Sequence, residues 1–190
     1  MAAITHAQGA IHSRLFMHRL GLWTFFFGET FLFGTVISSR YYLLGFERPE
    51  ALNQLLGLGI TALLLLSSLT AYRAETAAEH EDHGGFKLNM MLTILMGVLF
   101  MFGVGYEWYE AYRPGHFPPS SIFGTVFFTT TGIHATHVFS GVILLTIIFL
   151  KGRRPGRFTS GSYWGVEGAV KYWHFVDVAW VFIYPTLYLV

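Results

Sequence analysis

Long apolar runs separated by short polar segments dominate the chain. A helix needs about 20 apolar residues to cross a hydrocarbon core of roughly 30 Å. Runs of this kind cover residues 20–44, 51–72, 86–108, 121–150 and 169–190. Because lipid cannot satisfy unpaired backbone groups, such runs must be helices; barrel strands would be about half as long and would alternate. The pattern predicts an all-α integral membrane protein, a single domain over residues 1–190 with five transmembrane helices.

Composition agrees with a lipid environment and excludes several functions. Hydrophobic residues make up 53% of the chain and charged residues only 12%. The net charge of +1 provides no basic face for nucleic acid. The absence of cysteine excludes disulfides, Cys-ligated zinc and iron–sulfur clusters.

The distribution of Lys and Arg predicts the orientation. With five spans, the segments at 74–85 and 151–168 are loops on the same side as the N-terminus. Nine of the 12 Lys and Arg residues fall on that side, helix ends included, and the other side holds only Arg40, Arg48 and Arg113. The positive-inside rule then places the N-terminus in the cytoplasm and the C-terminus in the periplasm, in the inner (plasma) membrane of a bacterial or archaeal cell. In a mitochondrial protein the same distribution would place the N-terminus on the matrix side.

The loop at 74–85 contains a patch of two His and three carboxylates at 79–83. Such residues can ligate a metal, but a Gly-flanked surface loop of this composition is usually solvated. We therefore expect no metal site there.

Glu29 lies near the middle of the first span, and no other formal charge lies between Arg19 and Arg40. A charge at the bilayer centre costs about 2.5–3.5 kcal/mol even on lenient scales, so Glu29 cannot face lipid as a bare carboxylate. Small residues line the helix beside it, a composition that lets another helix approach closely; they are Gly21, Thr24, Gly28 and Thr35. Glu29 is either a proton-active or partner-contacting carboxylate, or a neutral structural hydrogen-bond donor.

The fourth and fifth spans each carry polar residues on one helix face. His134 and His137 share a face of the fourth span, and His174, Asp177 and Tyr184 share a face of the fifth. We expect the two faces to meet in a His–Asp or His–Tyr network across the helix interface.

Haem ligation is an alternative role for these histidines. A bis-His haem would take His134 or His137 together with His174, but hydrogen bonds alone can satisfy an intramembrane histidine. Glu107 ends the third span within an aromatic belt, where an exposed interfacial carboxylate is ordinary. We therefore expect no metal ligand and no catalytic residue in the chain.

Three segments together resemble subunit III of haem-copper terminal oxidases. They are FFTTTGIHATHVFSG at 127–141, YWHFVDVAW at 172–180 and LWTFFFGE at 22–29. Glu29 falls at the family's membrane-embedded carboxylate, and Glu107 is similar to another recurring glutamate. The mitochondrial type has two further helices at its start, which form a lipid-holding cleft. This chain resembles the short five-helix bacterial form.

The resemblance implies a subunit without a redox centre, with haem and copper in the partner subunits I and II. It implies direct packing against subunit I, contact with membrane lipids, stabilisation of the active site and support of proton uptake. Under this interpretation Glu29 is the proton-uptake or subunit-contact candidate. The set His134, His137, His174, Asp177 and Tyr184 is then structural.

Other functions remain open at the level of sequence. The chain could be the subunit-III-like accessory protein of a nitric oxide reductase, which also has five helices. From a different class, it could be a small membrane transporter or an independent b-type cytochrome. The electron donor, whether cytochrome c or quinol, binds other subunits and leaves no signal here.

Overall fold

The computed structural model describes residues 2–46, 52–113, 121–154, 156–158 and 162–189, without the side chains of residues 2–13. This part of the chain forms five α-helices and one terminal π-helical turn, as the all-α prediction required. The helices are α1 (Ala2–Leu44), α2 (Gln54–Glu79), α3 (His83–Ala111), α4 (Ile122–Gly152) and α5 (Trp164–Tyr184), and the π-helical turn is Pro185–Leu189.

The chain divides into two compact units, residues 1–32 and residues 33–190. In the second unit, α2 packs on α3, α3 on α4, α4 on α5, and α5 returns to α2. These four helices form a closed bundle around a core rich in aromatic side chains. Such a bundle directs one face of each helix inward and leaves the other to the surroundings.

Four helical segments are long and apolar enough to cross a membrane: Arg14–Leu44, Gln54–Glu79, His83–Ala111 and Ile122–Gly152. They correspond to the first four predicted spans. The fifth predicted span coincides with α5 and the π-helical turn, which carry more polar side chains.

The turn between α2 and α3 is much shorter than the predicted loop at 74–85. Helix α2 continues to Glu79 because its alanines, Ala74 and Ala78 among them, are buried against the bundle. Asp82 then caps α3 by accepting a hydrogen bond from the Gly85 amide at 2.9 Å. The acidic patch is therefore helix ends and a cap rather than a flexible loop. Across the described residues, no group of three or more His, Asp or Glu could hold a metal ion.

Arg40, which was expected at the membrane surface, is fully buried near the end of α1. Its guanidinium donates a hydrogen bond to the Gly45 carbonyl at 2.9 Å, and the Gly45 amide donates to the Tyr41 carbonyl at 3.0 Å. Gly45 has a φ of 64°, a left-handed conformation typical of a helix C-terminus. The arginine thus helps to satisfy carbonyl groups where α1 ends.

Trp173 of α5 fills the centre of the bundle, where α3 and α4 each present a glycine. A Cβ atom on Gly97 would lie 2.6 Å from the indole Cη2, and one on Gly141 would lie 2.9 Å from Cε3. Neither position has room for a side chain, so these glycines allow the large ring to occupy the core.

Candidate functional site

Hydroxyl groups of α2 accept hydrogen bonds from tryptophan side chains of α5. The indole of Trp180 donates to Thr61 Oγ1 at 2.9 Å, and the indole of Trp173 donates to Ser67 Oγ at 2.9 Å. Each hydroxyl also donates to a carbonyl of its own helix, at 2.7 Å from Thr61 and 2.6 Å from Ser67. The hydroxyl groups therefore act as donor and acceptor together, and buried indole N–H groups are satisfied as expected.

His174 also faces α2. Its Nδ1 lies 2.6 Å from Ser68 Oγ, within hydrogen-bond distance. Asp177, one turn further along α5, is buried and lies near the same serine, but neither carboxylate oxygen meets hydrogen-bond geometry with a described residue. The structure therefore directs the α5 polar face largely toward α2, whereas the sequence predicted that it would meet α4.

His134 is completely buried among aromatic rings. Its ring centroid lies 4.8 Å from that of Trp180, 5.7 Å from that of Phe100 and 6.3 Å from that of Phe33. Neither ring nitrogen has a hydrogen-bond partner among the described residues. Among the described residues, His134 and Asp177 therefore form no direct hydrogen bond with each other.

His137 and Tyr184 are the remaining members of the predicted polar set. His137 packs its ring 5.1 Å from Phe33, and its Nδ1 lies 2.8 Å from the Ile133 carbonyl of its own helix. Tyr184 stacks on Tyr188 at a centroid distance of 5.0 Å. What the five polar residues share is therefore a position in the bundle interior or at its margin.

Glu107 is buried, contrary to the expectation of an exposed interfacial carboxylate. Only 5% of its surface is exposed, and its Oε2 accepts a hydrogen bond from the Tyr188 hydroxyl at 2.6 Å. The Tyr188 carbonyl in turn accepts from Gln54 Nε2 at 3.0 Å. Tyr188 therefore connects the π-helical turn to α3 through its side chain and to α2 through its backbone.

The burial of Glu107 has a signal in the sequence that was missed. The buried residues of α3 recur along its length at alternating spacings of four and three positions. They are residues 86, 90, 93, 97, 100, 104, 107 and 111. This alternation is the heptad pattern of a helix seam that faces other helices. Glu107 occupies the seam, so its position in the aromatic belt did not determine its exposure.

Glu29 lies on α1 in the unit formed by residues 1–32, and its side chain is partly buried. The helix around it exposes large aromatic side chains, among them Trp23, Phe27 and Phe31. A Cβ atom on Gly21 or Gly28 would meet no heavy atom of the described chain within 4 Å. This part of α1 therefore presents an open apolar surface around a carboxylate.

Comparison with known proteins identifies relatives of the whole chain. The family model for "Cytochrome c oxidase subunit III" matches residues 10–190. The "Cytochrome c oxidase subunit 3" of Thermostichus vulcanus is 30% identical over 192 residues, which cover 98% of this chain and 92% of the relative. The "Probable cytochrome c oxidase subunit 3" of Nocardia farcinica is 36% identical over 142 residues, 75% of this chain and 70% of the relative.

A third relative has the same description. The "Probable cytochrome c oxidase subunit 3" of Mycobacterium leprae is 34% identical over 161 residues, 84% of this chain and 79% of the relative. These findings confirm the resemblance stated from the three sequence segments. They favour an oxidase over a nitric oxide reductase, a transporter or an independent b-type cytochrome.

Proposed function

The chain belongs to the cytochrome c oxidase subunit III family, and we propose that it supports the catalytic subunit of the oxidase without carrying a redox centre itself. Haem and copper then reside in subunits I and II, and this chain packs directly against subunit I. The surroundings of the histidines support a chain without haem. His134 is enclosed by aromatic rings and His174 Nδ1 lies within hydrogen-bond distance of Ser68, which supports a structural role for this pair over haem ligation.

The proposed arrangement in the membrane has five spans. Helix α5 and the π-helical turn together cover 26 residues, 164–189, or about 39 Å at the helical rise, enough to cross the bilayer. Its polar side chains point largely into the bundle, which removes the main objection to a span containing Asp177 and His174. A fifth span places the two termini on opposite sides.

The N-terminal side is proposed to be cytoplasmic, in the inner membrane of a bacterial cell. His83 Nε2 lies 3.2 Å from the Arg153 carbonyl, so the α2–α3 turn and the end of α4 meet at one end of the bundle. The exposed cations Lys151, Arg154 and Arg157 lie at that end. This agrees with the positive-inside assignment. The relatives are named cytochrome c oxidases, so cytochrome c is the proposed electron donor of the complex.

The surface of α1 around Glu29 is the proposed contact with subunit I. The observation that carries this proposal is a partly buried carboxylate on a helix that otherwise exposes aromatic residues and glycines. A partner helix can approach closely along glycines, and it would shield the carboxylate from lipid. Glu29 would then contribute to proton uptake by the catalytic subunit.

Replacement of Glu29 by Gln tests this role, because Gln keeps the shape and hydrogen-bonding capacity but cannot exchange a proton at neutral pH. We expect the Glu29→Gln oxidase to assemble normally, to take up protons more slowly and to lose activity sooner during turnover. The measurements are proton uptake in vesicles and the number of turnovers before inactivation.

A matched control is Glu110→Gln, which alters a carboxylate at the end of α3 that accepts from Tyr106 at 3.0 Å. The control should behave like the unaltered oxidase in both measurements. If the Glu29→Gln oxidase also shows unchanged uptake, pumping and durability, Glu29 has only a structural role.

A further inference from the structure

Three side chains between α3 and α4 carry buried polar atoms that have no hydrogen-bond partner in the described part of the chain. They are Glu107 at Oε1, Thr130 at Oγ1, and His134 at both ring nitrogens. Their exposed fractions are 5%, 1% and 0%. Buried polar atoms are nearly always paired in native proteins, so each exception needs an explanation.

The helix register brings the three side chains within about one helical turn of one another along the bundle axis. Trp108 donates from its indole to Thr131 Oγ1 at 3.0 Å, which aligns these two positions of the antiparallel helices. Glu107 precedes Trp108 on α3 and Thr130 precedes Thr131 on α4, so both lie within one residue of the aligned pair, and both are buried. His134 follows Thr130 by one helical turn on the same face of α4, a rise of about 6 Å.

The direction of the Thr130 hydroxyl differs from that of its neighbours. Thr131, Thr136 and Thr146 on the same helix all donate to the carbonyl four residues earlier, at 2.7 Å, 2.9 Å and 2.7 Å. Thr130 makes no such bond. Its hydroxyl therefore keeps both its proton and its lone pairs available toward the core.

Tyr188 is the described hydrogen-bond partner of Glu107. Its hydroxyl donates to Glu107 Oε2, which leaves Oε1 as the oxygen without a partner. Its ring lies 6.4 Å from those of Trp180 and Phe127, centroid to centroid. Tyr188 therefore packs against aromatic rings of α4 and α5 while its hydroxyl holds Glu107.

We propose that Glu107, Thr130 and His134 form a buried hydration site that binds one or more ordered water molecules between α3 and α4. A carboxyl oxygen, a hydroxyl and an imidazole supply donors and acceptors in the number that a buried water requires, two to four. Water bound there satisfies all three side chains and joins Glu107 to His134 by hydrogen bonds.

Thr130→Val in the purified oxidase complex tests the proposal by the sign of its effect. Valine has nearly the same shape but no hydroxyl. If the site is hydrated, the water loses a partner, and the midpoint for thermal release of this chain falls by about 2–4 °C. If the site is dry, removal of an unpaired hydroxyl leaves the midpoint unchanged or raises it, and this result overturns the proposal.

Thr136→Val is the matched control, since Thr136 is exposed and its hydroxyl is satisfied by its own helix. We expect no shift from it. If Thr130→Val prevents assembly, a structure of the unaltered complex at a resolution that reveals water decides the question. Water density within hydrogen-bond distance of at least two of the three side chains supports the site, and a space without water density refutes it.

Discussion

The hydrogen bond from Tyr188 to Glu107 is expected to be a major contribution to the stability of the bundle. Tyr188→Phe deletes one oxygen and leaves no cavity of consequence, but it removes the only described partner of a buried carboxyl group. Loss of a buried hydrogen bond to a charged or strongly polar group costs about 1.5–3 kcal/mol. For a chain of this length, each kcal/mol lowers the unfolding midpoint by about 2–4 °C.

We therefore expect Tyr188→Phe to lower the midpoint for thermal release of this chain from the purified oxidase by roughly 3–12 °C. Tyr72→Phe, on the exposed face of α2, is the control and should leave the midpoint unchanged. Glu107→Gln keeps an acceptor for the tyrosine and should cost less than Tyr188→Phe. A Tyr188→Phe midpoint equal to that of the control would refute the reasoning.

Two further predictions concern the centre of the bundle. Gly97→Ala should destabilise the chain by about 1–3 kcal/mol, because the added methyl group meets Trp173; Gly105→Ala, where a Cβ meets no described atom within 4 Å, should be tolerated in the same thermal assay. Ser67→Ala leaves the Trp173 indole without its acceptor and should cost about 1–3 kcal/mol. A tryptophan emission spectrum and thermal midpoint unchanged from the parent would contradict this.

The length of apolar runs was sufficient to predict the helices, because lipid leaves helices as the main solution for a long apolar segment. It was a poor guide to their ends. Helix α1 begins at Ala2 and α2 continues to Glu79, well beyond the runs at 20–44 and 51–72. For α2 the reason is packing, since a helix that packs on neighbours can extend past the hydrocarbon core into water. Burial of alanines such as Ala74 and Ala78 decides that extension, and composition alone does not display it.

The polar interior was predicted only in part, and the reason is geometric. Helical spacing shows which residues share a face, as for His174 and Asp177, but not which helix that face meets. The hydroxyl groups that receive the α5 side chains lie at Thr61, Ser67 and Ser68 within a leucine-rich run. Serine and threonine are common in transmembrane helices, so their spacing did not single them out.

For Glu107, the neighbouring residues and the pattern along the whole of α3 indicate different exposures. Its aromatic neighbours suggested the membrane surface, whereas the seam that includes Phe100 and Val104 places it inside the bundle. A periodicity followed along the whole of α3 would have given the correct exposure. The role of Glu29 stays a prediction, because it depends on the surface of a partner subunit.

The central claim is that this chain is a subunit of an oxidase whose redox centres lie elsewhere. The most direct measurement purifies the complex through a tag on this chain and determines oxygen consumption together with the haem and copper content of each separated subunit. We expect the tag to recover an oxygen-consuming complex, with haem and copper in the partner subunits and none in this chain. Stoichiometric haem or copper in the separated chain would contradict the account.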